Sequence, residues 1–217
     1  MGEAVTSFAF LAWMAPAAYL LGSIPTAVWT GRVFHGIDVR DHGSGNAGAT
    51  NVMRVLGVRT GVPVLLIDML KGWAAVNLLK LQQSLGTGEE AFMMLAILLG
   101  ILAVTGHIFP VFAGFRGGKG VATIGGVCLA LHPAATAAAL GVFILVLLLS
   151  QYVSLGSVSA GISFPVWLIA VFHSPYISLW IFSIVAALLL VITHRKNIMR
   201  LKAGKENKAT FLFKKKQ

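Results

Sequence analysis

The chain has one cysteine, Cys128, and it stands inside an apolar run. No intrachain disulfide can form, no cysteine metal cluster exists, and Cys128 reads as a small core residue. Charge is scarce too: 11% of the 217 residues are Asp, Glu, Lys or Arg, and seven are acidic. His35, His42, His132 and His173 lack metal-ligand spacing, and only Asp38 and Asp41 place carboxylates near the polar segments, so no metal is implied. No Lys or Arg precedes the first apolar run and the one early charge is Glu3, which argues against a cleavable signal and for a retained first span.

What the chain does have is lipid-soluble surface, 57% of its residues being hydrophobic. That exceeds the ~50% of an ordinary soluble domain and marks a membrane protein. Apolar runs cover about 5–31, 61–81, 91–113, 120–150, 157–172 and 176–193, most of them close to the ~20 residues a helix needs to cross hydrocarbon. A single helical bundle follows. Trp13, Trp29, Trp73, Trp167 and Trp180 fall near span ends or on bundle faces, as interfacial anchors do.

The net charge of +10 is clustered. Arg32, Arg40, Arg54 and Arg59 share one segment, Arg116 and Lys119 another, and nine Lys or Arg follow His194, which accounts for fifteen of the seventeen. Clusters that flank apolar spans obey the positive-inside rule, not the logic of a nucleic-acid surface. All three are expected in the cytoplasm, with the Glu89, Glu90 turn outside. A single helix over 120–150 would make six spans and put the tail on the wrong side. Seven spans restore agreement, with the N-terminus outside, the C-terminus cytoplasmic, and a break at His132-Pro133, where proline removes one helix donor and starts the next helix well. The helix from about 120 to 131 then reaches only ~18 Å. One domain over 1–200 and a basic cytoplasmic tail over 201–217, drawn to anionic lipid, complete the layout.

Two glycine-rich polar stretches interrupt this chain. Gly43-Ser44-Gly45-Asn46, continued by Thr50, Asn51 and Arg54, concentrates donors within twelve residues, and Arg116-Gly117-Gly118-Lys119-Gly120 sets a lysine among glycines directly before a helix. Glycine admits main-chain N–H groups close to an oxyanion, Arg and Lys add charge, and a helix N-terminus adds its dipole, so each stretch has the makings of a phosphate cradle. The second is no Walker loop, because Gly120 stands where the magnesium-binding Ser or Thr would be. The segment 32–60 carrying the first must fold against the bundle. Asp68 and Lys71, three apart in an apolar run, can pair and brace the nearby cationic loop. His194 and Asn197, also three apart, face the same way at the end of the last span. His107 could serve as a base or as an interfacial histidine. The site is rich in anion donors and poor in nucleophiles, so its substrate must arrive activated, as an acyl group in a mixed anhydride with phosphate does.

The stretches GSGNAGATNVMR, GHIFPVFAGFRGGKGVAT, IDMLKG, YVSLGS and HRKNI closely resemble the PlsY family of bacterial acyl-phosphate:glycerol-3-phosphate acyltransferases, over about Tyr19 to Arg200. The resemblance implies a seven-helix inner-membrane enzyme, with its site on the cytoplasmic side, that makes 1-acylglycerol 3-phosphate without a cofactor. It implies that Ser44, Arg54 and Lys119 handle substrate phosphates, that His194 and Asn197 belong to the glycerol phosphate site, and that Gly43, Gly45, Asn46, Asn51, Gly117, Gly118 and Gly120 line the substrate loops. Its partners would be acyl phosphate, glycerol 3-phosphate, membrane lipid and the enzyme that makes the acyl phosphate. The family's last motif usually reads His-Arg-Glu-Asn, and here Lys196 stands in place of the glutamate, leaving open what holds His194 and Asn197. A rival reading from the residues is a transporter of a small phosphorylated metabolite. It would be supported by inverted repeats, and none is evident.

Overall fold

The computed structural model describes residues 2–81 and 88–213, and among these every regular element is helical. The first apolar run is not one helix. Helix α1 (Gly2–Ser23) stops at Ile24-Pro25 and α2 (Thr26–His35) starts afresh, because Pro25 cannot supply the N–H that would continue the ladder. Gly36 in the left-handed conformation ends α2.

The connection that follows contains a helix the sequence reading did not anticipate, α3 (Ala49–Leu56), and α4 (Val58–Asn77) begins almost directly after it. One face of α3 is apolar. Val39 and Val52 are completely buried and, with Ala27, Ala49 and Val64, form a small core separate from that of the bundle. This core holds the segment 32–60 against the bundle, as expected.

Helix α5 (Glu89–Ile108) leads into the second glycine-rich stretch and then the short α6 (Val121–Leu131). The break at His132-Pro133 occurs where the sequence places it: Pro133 is the first residue of α7 (Pro133–Ser150), and the His132 ring caps that helix, its Nδ1 accepting from the Ala135 N–H at 3.2 Å. Helix α8 (Val153–Val166) continues through a wider π-type turn over Trp167–Val171 just past Pro165. Helix α9 (Ile177–Thr193) bends by 58° into α10 (Arg195–Lys202), and a final turn, α11 (Thr210–Phe213), follows.

Four stretches, Val58–Leu81, Glu89–Ala113, Pro133–Ser150 and Val153–Val171, are long and apolar enough to cross a membrane, and the bent pair α9 and α10 makes a fifth if counted as one. Their outward faces stay apolar, with Leu66, Leu70, Ile101, Leu145, Leu149, Ile181 and Leu188 exposed. Such a surface needs lipid around it. Two crossings bring helices to backbone contact. A Cβ on Gly22 or Gly106 would run into α5 or α1 respectively, and one on Gly72 or Gly126 into α6 or α4. Small residues let helices approach closely where lipid supplies no hydrophobic drive for association.

Candidate active site

The first glycine-rich loop is held by a side chain at its own far end. Asn51, 1% exposed, accepts from the Ser44 N–H at 2.8 Å and the Ser44 hydroxyl at 3.1 Å, and donates to the carbonyls of Val39 at 2.7 Å and His42 at 3.1 Å. Its two acceptor and two donor positions are thus all used within the loop. Asn51, expected among the binding residues, organises the loop with its side-chain amide.

Several backbone N–H groups of the two loops are spoken for as well. Besides Ser44, Gly45 donates its N–H to His42 at 3.1 Å and Gly48 to Asn46 at 3.0 Å. In the second loop Gly117 donates to Ile108 at 3.1 Å and Gly118 to His107 at 3.2 Å, both at the end of α5. The expected cradle of free glycine N–H groups is therefore not what Gly45, Gly117 and Gly118 provide. Their contribution is steric: a Cβ on Gly118 would collide with the His107 ring and the Ala47 carbonyl, so only glycine lets the two loops meet there. Gly43 and Gly120, at φ of 61° and 80°, take turns that side chains disfavour. Asn46 is partly buried on the first loop beside Gly48.

A second tie joins the loops. Arg40 donates from Nη1 to the carbonyls of Ala113 at 2.9 Å and Arg116 at 3.2 Å, while Asp38 grips the same guanidinium at 2.7 Å. The Arg40 guanidinium holds the Asp38 carboxyl well below the usual carboxylate range, against the opposing effect of burial. Behind the second loop, Asp68 and Lys71 form a buried pair at 2.8 Å, with Lys71 also donating to the Ile24 carbonyl at 2.9 Å and His107 standing 3.6 Å from Asp68. Together with Ala47, Gly117 and Gly118 they line one small cavity, the bracing position expected of them.

Charged side chains converge beside these loops. Lys119, leaving the second loop just before α6, donates to Asn197 Oδ1 on α10, seventy-eight residues away. Burial pushes the Lys119 ammonium down to about 8; the Glu206 carboxylate opposes this, and the charges of Arg200 and Arg54 add to it. Arg54, on the last turn of α3, is half-buried with its guanidinium 5.8 Å from the Phe211 ring. Burial lowers its proton affinity, again opposed by Glu206. His194 is buried at the bend between α9 and α10, its Nδ1 2.8 Å from the Leu190 carbonyl. That bond requires the proton on Nδ1 and leaves Nε2 free to accept. Ser44 is exposed on the first loop, held only by Asn51. Four of the five expected catalytic side chains thus belong to one electrostatic cluster, whereas Ser44 bonds to Asn51 within its own loop.

The glycerol-3-phosphate acyltransferase family model matches residues 12–204. The chain belongs to this family. It is 41% identical over 221 residues to a glycerol-3-phosphate acyltransferase of Chlorobium phaeobacteroides (strain BS1), covering 89% of this chain and 94% of that protein. A glycerol-3-phosphate acyltransferase of Salinibacter ruber is also 41% identical, covering 88% of each. Among solved structures, the glycerol 3-phosphate form of PlsY, an integral membrane glycerol 3-phosphate acyltransferase, superposes with a TM-score of 0.79 at 36% identity over 91% of this chain and 94% of that one. Its lysophosphatidic acid form gives 0.78 at 34% identity, over 94% and 98%.

Within this acyltransferase, sequence reasoning missed Arg40, Ser154 and Glu206. Lys196, at the position where the resembled family carries glutamate, is exposed. The carboxylate that meets Asn197 comes from Glu206, whose Oε1 accepts from Asn197 Nδ2 at 2.6 Å. One signal was available: Glu206 is the only acidic residue after Glu90, set among nine basic ones. Within the stretch 201–217, expected as a basic tail, Glu206, Ala209 and Phe211 meet Asn197, Gln151 and Arg54, while 214–217 lie outside the described residues.

Proposed function

We propose that this protein transfers a fatty acyl group from acyl phosphate to glycerol 3-phosphate, releasing 1-acylglycerol 3-phosphate and inorganic phosphate. The observation that carries this reading is the bond between Lys119 and Asn197, which joins the second glycine-rich motif to the last motif inside a cationic cluster with Arg54. Such a cluster suits a dianion. Arg54, Lys119, Ser44, His194 and Asn197 clamp the phosphate of glycerol 3-phosphate, and His194 Nε2 accepts from its glycerol hydroxyls. The acyl phosphate head lies against the glycine-rich loops, where the N–H groups of Ser44, Gly45, Gly117 and Gly118 are already engaged within the fold.

The glycerol hydroxyl attacks the acyl carbonyl carbon directly. As the new ester bond forms, the bond from that carbon to the phosphate oxygen breaks, and the hydroxyl proton leaves with the departing phosphate. No covalent enzyme intermediate is needed, since the donor already carries a good leaving group. Positioning two phosphorylated reactants and neutralising their charge supply the rate. The acyl tail stays in a groove open to lipid.

Seven spans complete the topology, α1 and the short α6 being added to the five apolar stretches, with the N-terminus outside and the site at the cytoplasmic face of the bacterial inner membrane. The clustering of basic residues supports this orientation. The enzyme that makes acyl phosphate is then the natural neighbour, since its product feeds this site. Purified protein supplied with radiolabelled glycerol 3-phosphate and, in turn, acyl phosphate, acyl-CoA or acyl carrier protein thioester tests the reaction. Lipid-extractable label with matching phosphate release from acyl phosphate is expected; label moving into vesicles unconverted would indicate a transporter instead. Protease added outside sealed inside-in vesicles should leave the C-terminal tail intact, and cleavage there would overturn the seven-span topology.

A further inference from the structure

The segment after α10 reads from the sequence as a lipid-seeking tail, yet it carries a carboxylate bonded by three side chains of α8 and α10. The Glu206 side chain is 5% exposed. Its Oε1 accepts from Asn197 Nδ2 at 2.6 Å and from the Ser154 hydroxyl at 2.8 Å, and its Oε2 pairs with Arg200 Nε at 2.8 Å. These donors sit on α8 and α10. Burial pushes the carboxyl up, but the bonds from Asn197, Ser154 and Arg200 outweigh it and hold Glu206 ionised.

The backbone places this carboxylate deliberately. Gly204, at φ of 66°, reverses the chain, and the Lys205 N–H returns to the Arg200 carbonyl at 2.8 Å. Ala209 is completely buried and donates its N–H to the Gln151 carbonyl at 2.8 Å, on the turn between α7 and α8. Just before it Lys208 stands 5.8 Å from the Tyr152 ring, and beyond it the Phe211 ring lies 5.8 Å from Arg54. Residues 203–212 thus run from α10 across the start of α8 to α3.

We propose that Glu206 is a positioning residue that aims Asn197 at Lys119, and that residues 203–212 form a strap closing the site from outside the bundle. The argument is one of donor and acceptor identity. Asn197 has one end that donates and one that accepts. An ionised carboxylate only accepts, so the Asn197 amide must turn its Nδ2 to Glu206 and its Oδ1 to Lys119. Without Glu206 the amide is free to flip, setting a donor against the ammonium. The same carboxylate supplies the negative charge that keeps Lys119 protonated among Arg54 on α3, Arg200 on α10 and His194 at the bend.

The test compares Glu206→Gln, Glu206→Ala and Glu206→Asp in the full-length protein in detergent, with acyl phosphate and glycerol 3-phosphate varied separately. KM for glycerol 3-phosphate should rise about tenfold in Glu206→Ala, the scale of a hydrogen bond to a charged group, while KM for acyl phosphate changes little. In Glu206→Gln and Glu206→Ala the alkaline limb of the pH profile should move to lower pH, because Lys119 has lost its neighbouring anion. Glu206→Asp, which keeps the charge, should bring the limb back toward the parent position. An unchanged KM for glycerol 3-phosphate together with an unchanged limb in Glu206→Gln overturns the proposal. So does lost turnover that merely follows a lower melting temperature with both KM values and the limb unmoved. The proposal rests on the acyltransferase reading: an inactive parent enzyme would remove that reading, whereas an active parent with indifferent variants removes only the role of Glu206.

Discussion

The first glycine-rich loop and the strap at residues 203–212 border the same cationic cluster, and they are held by different forces. The loop sits on its own apolar core, with Val39 and Val52 fully buried, and Asn51 makes four neutral hydrogen bonds within it. The strap has one buried anchor, Ala209, and otherwise depends on the charge of Glu206. Neutral short-range bonds and apolar burial are indifferent to salt, whereas partly exposed ion pairs are screened by it. The loop is therefore a fixed wall, and the strap is a wall whose hold follows pH and ionic strength.

The largest effect should come from the cluster both walls serve. Lys119→Ala should lower the turnover number, read as phosphate release, by on the order of a hundredfold or more, since it removes the cation proposed to hold the reacting phosphates. A variant that folds normally and turns over at the parent rate would break the link between the cluster and the reaction.

Next in size is the loop itself. Asn51→Leu leaves the Ser44 N–H and the carbonyls of Val39 and His42 without their partner, and should cost roughly 2 kcal/mol or more, measured as a lowered unfolding midpoint in detergent. That loss should be the same at low and high salt. A strong salt dependence would show that the loop, like the strap, is held electrostatically.

The pH response comes third. Lys119 binds its proton less tightly than an exposed lysine and titrates near about 8. If Lys119 holds the substrate phosphate as proposed, its cationic form is the competent one and kcat/KM for glycerol 3-phosphate should fall as pH rises through this region; a profile flat to pH 10 would exclude Lys119 as the phosphate contact. The smallest effect concerns the rim of the strap. Arg200 is 40% exposed, so Arg200→Gln should cost less than about 1 kcal/mol, raising KM for glycerol 3-phosphate only slightly, and added salt should erase the difference from the parent. Persistence of the effect in high salt would mean that Arg200 does more than steady Glu206.

Much of this was legible beforehand. Apolar runs announced the membrane helices, Pro133 marked the break after α6, and the motifs around Arg54, Lys119 and Asn197 pointed to side chains that the fold does bring together. The glycine loops were read as open cradles because glycine permits close approach. Permission is not the same as vacancy, and the N–H groups of Gly45, Gly117 and Gly118 are consumed by neighbouring carbonyls. Helix α3 was missed because its polar face and short length hide a period that only becomes clear against Val39 and Val64.

By itself, the sequence determined that this chain lives in lipid as a bundle of helices and that its cations gather around two glycine-rich loops, because hydropathy, periodicity and motif spacing are local properties. Only the tertiary structure decided that Glu206, and not the residue at position 196, faces Asn197. Ser154 lies fifty-two residues from Glu206 and Lys119 seventy-eight from Asn197, and which donor meets which acceptor over such separations is set by how the helices pack.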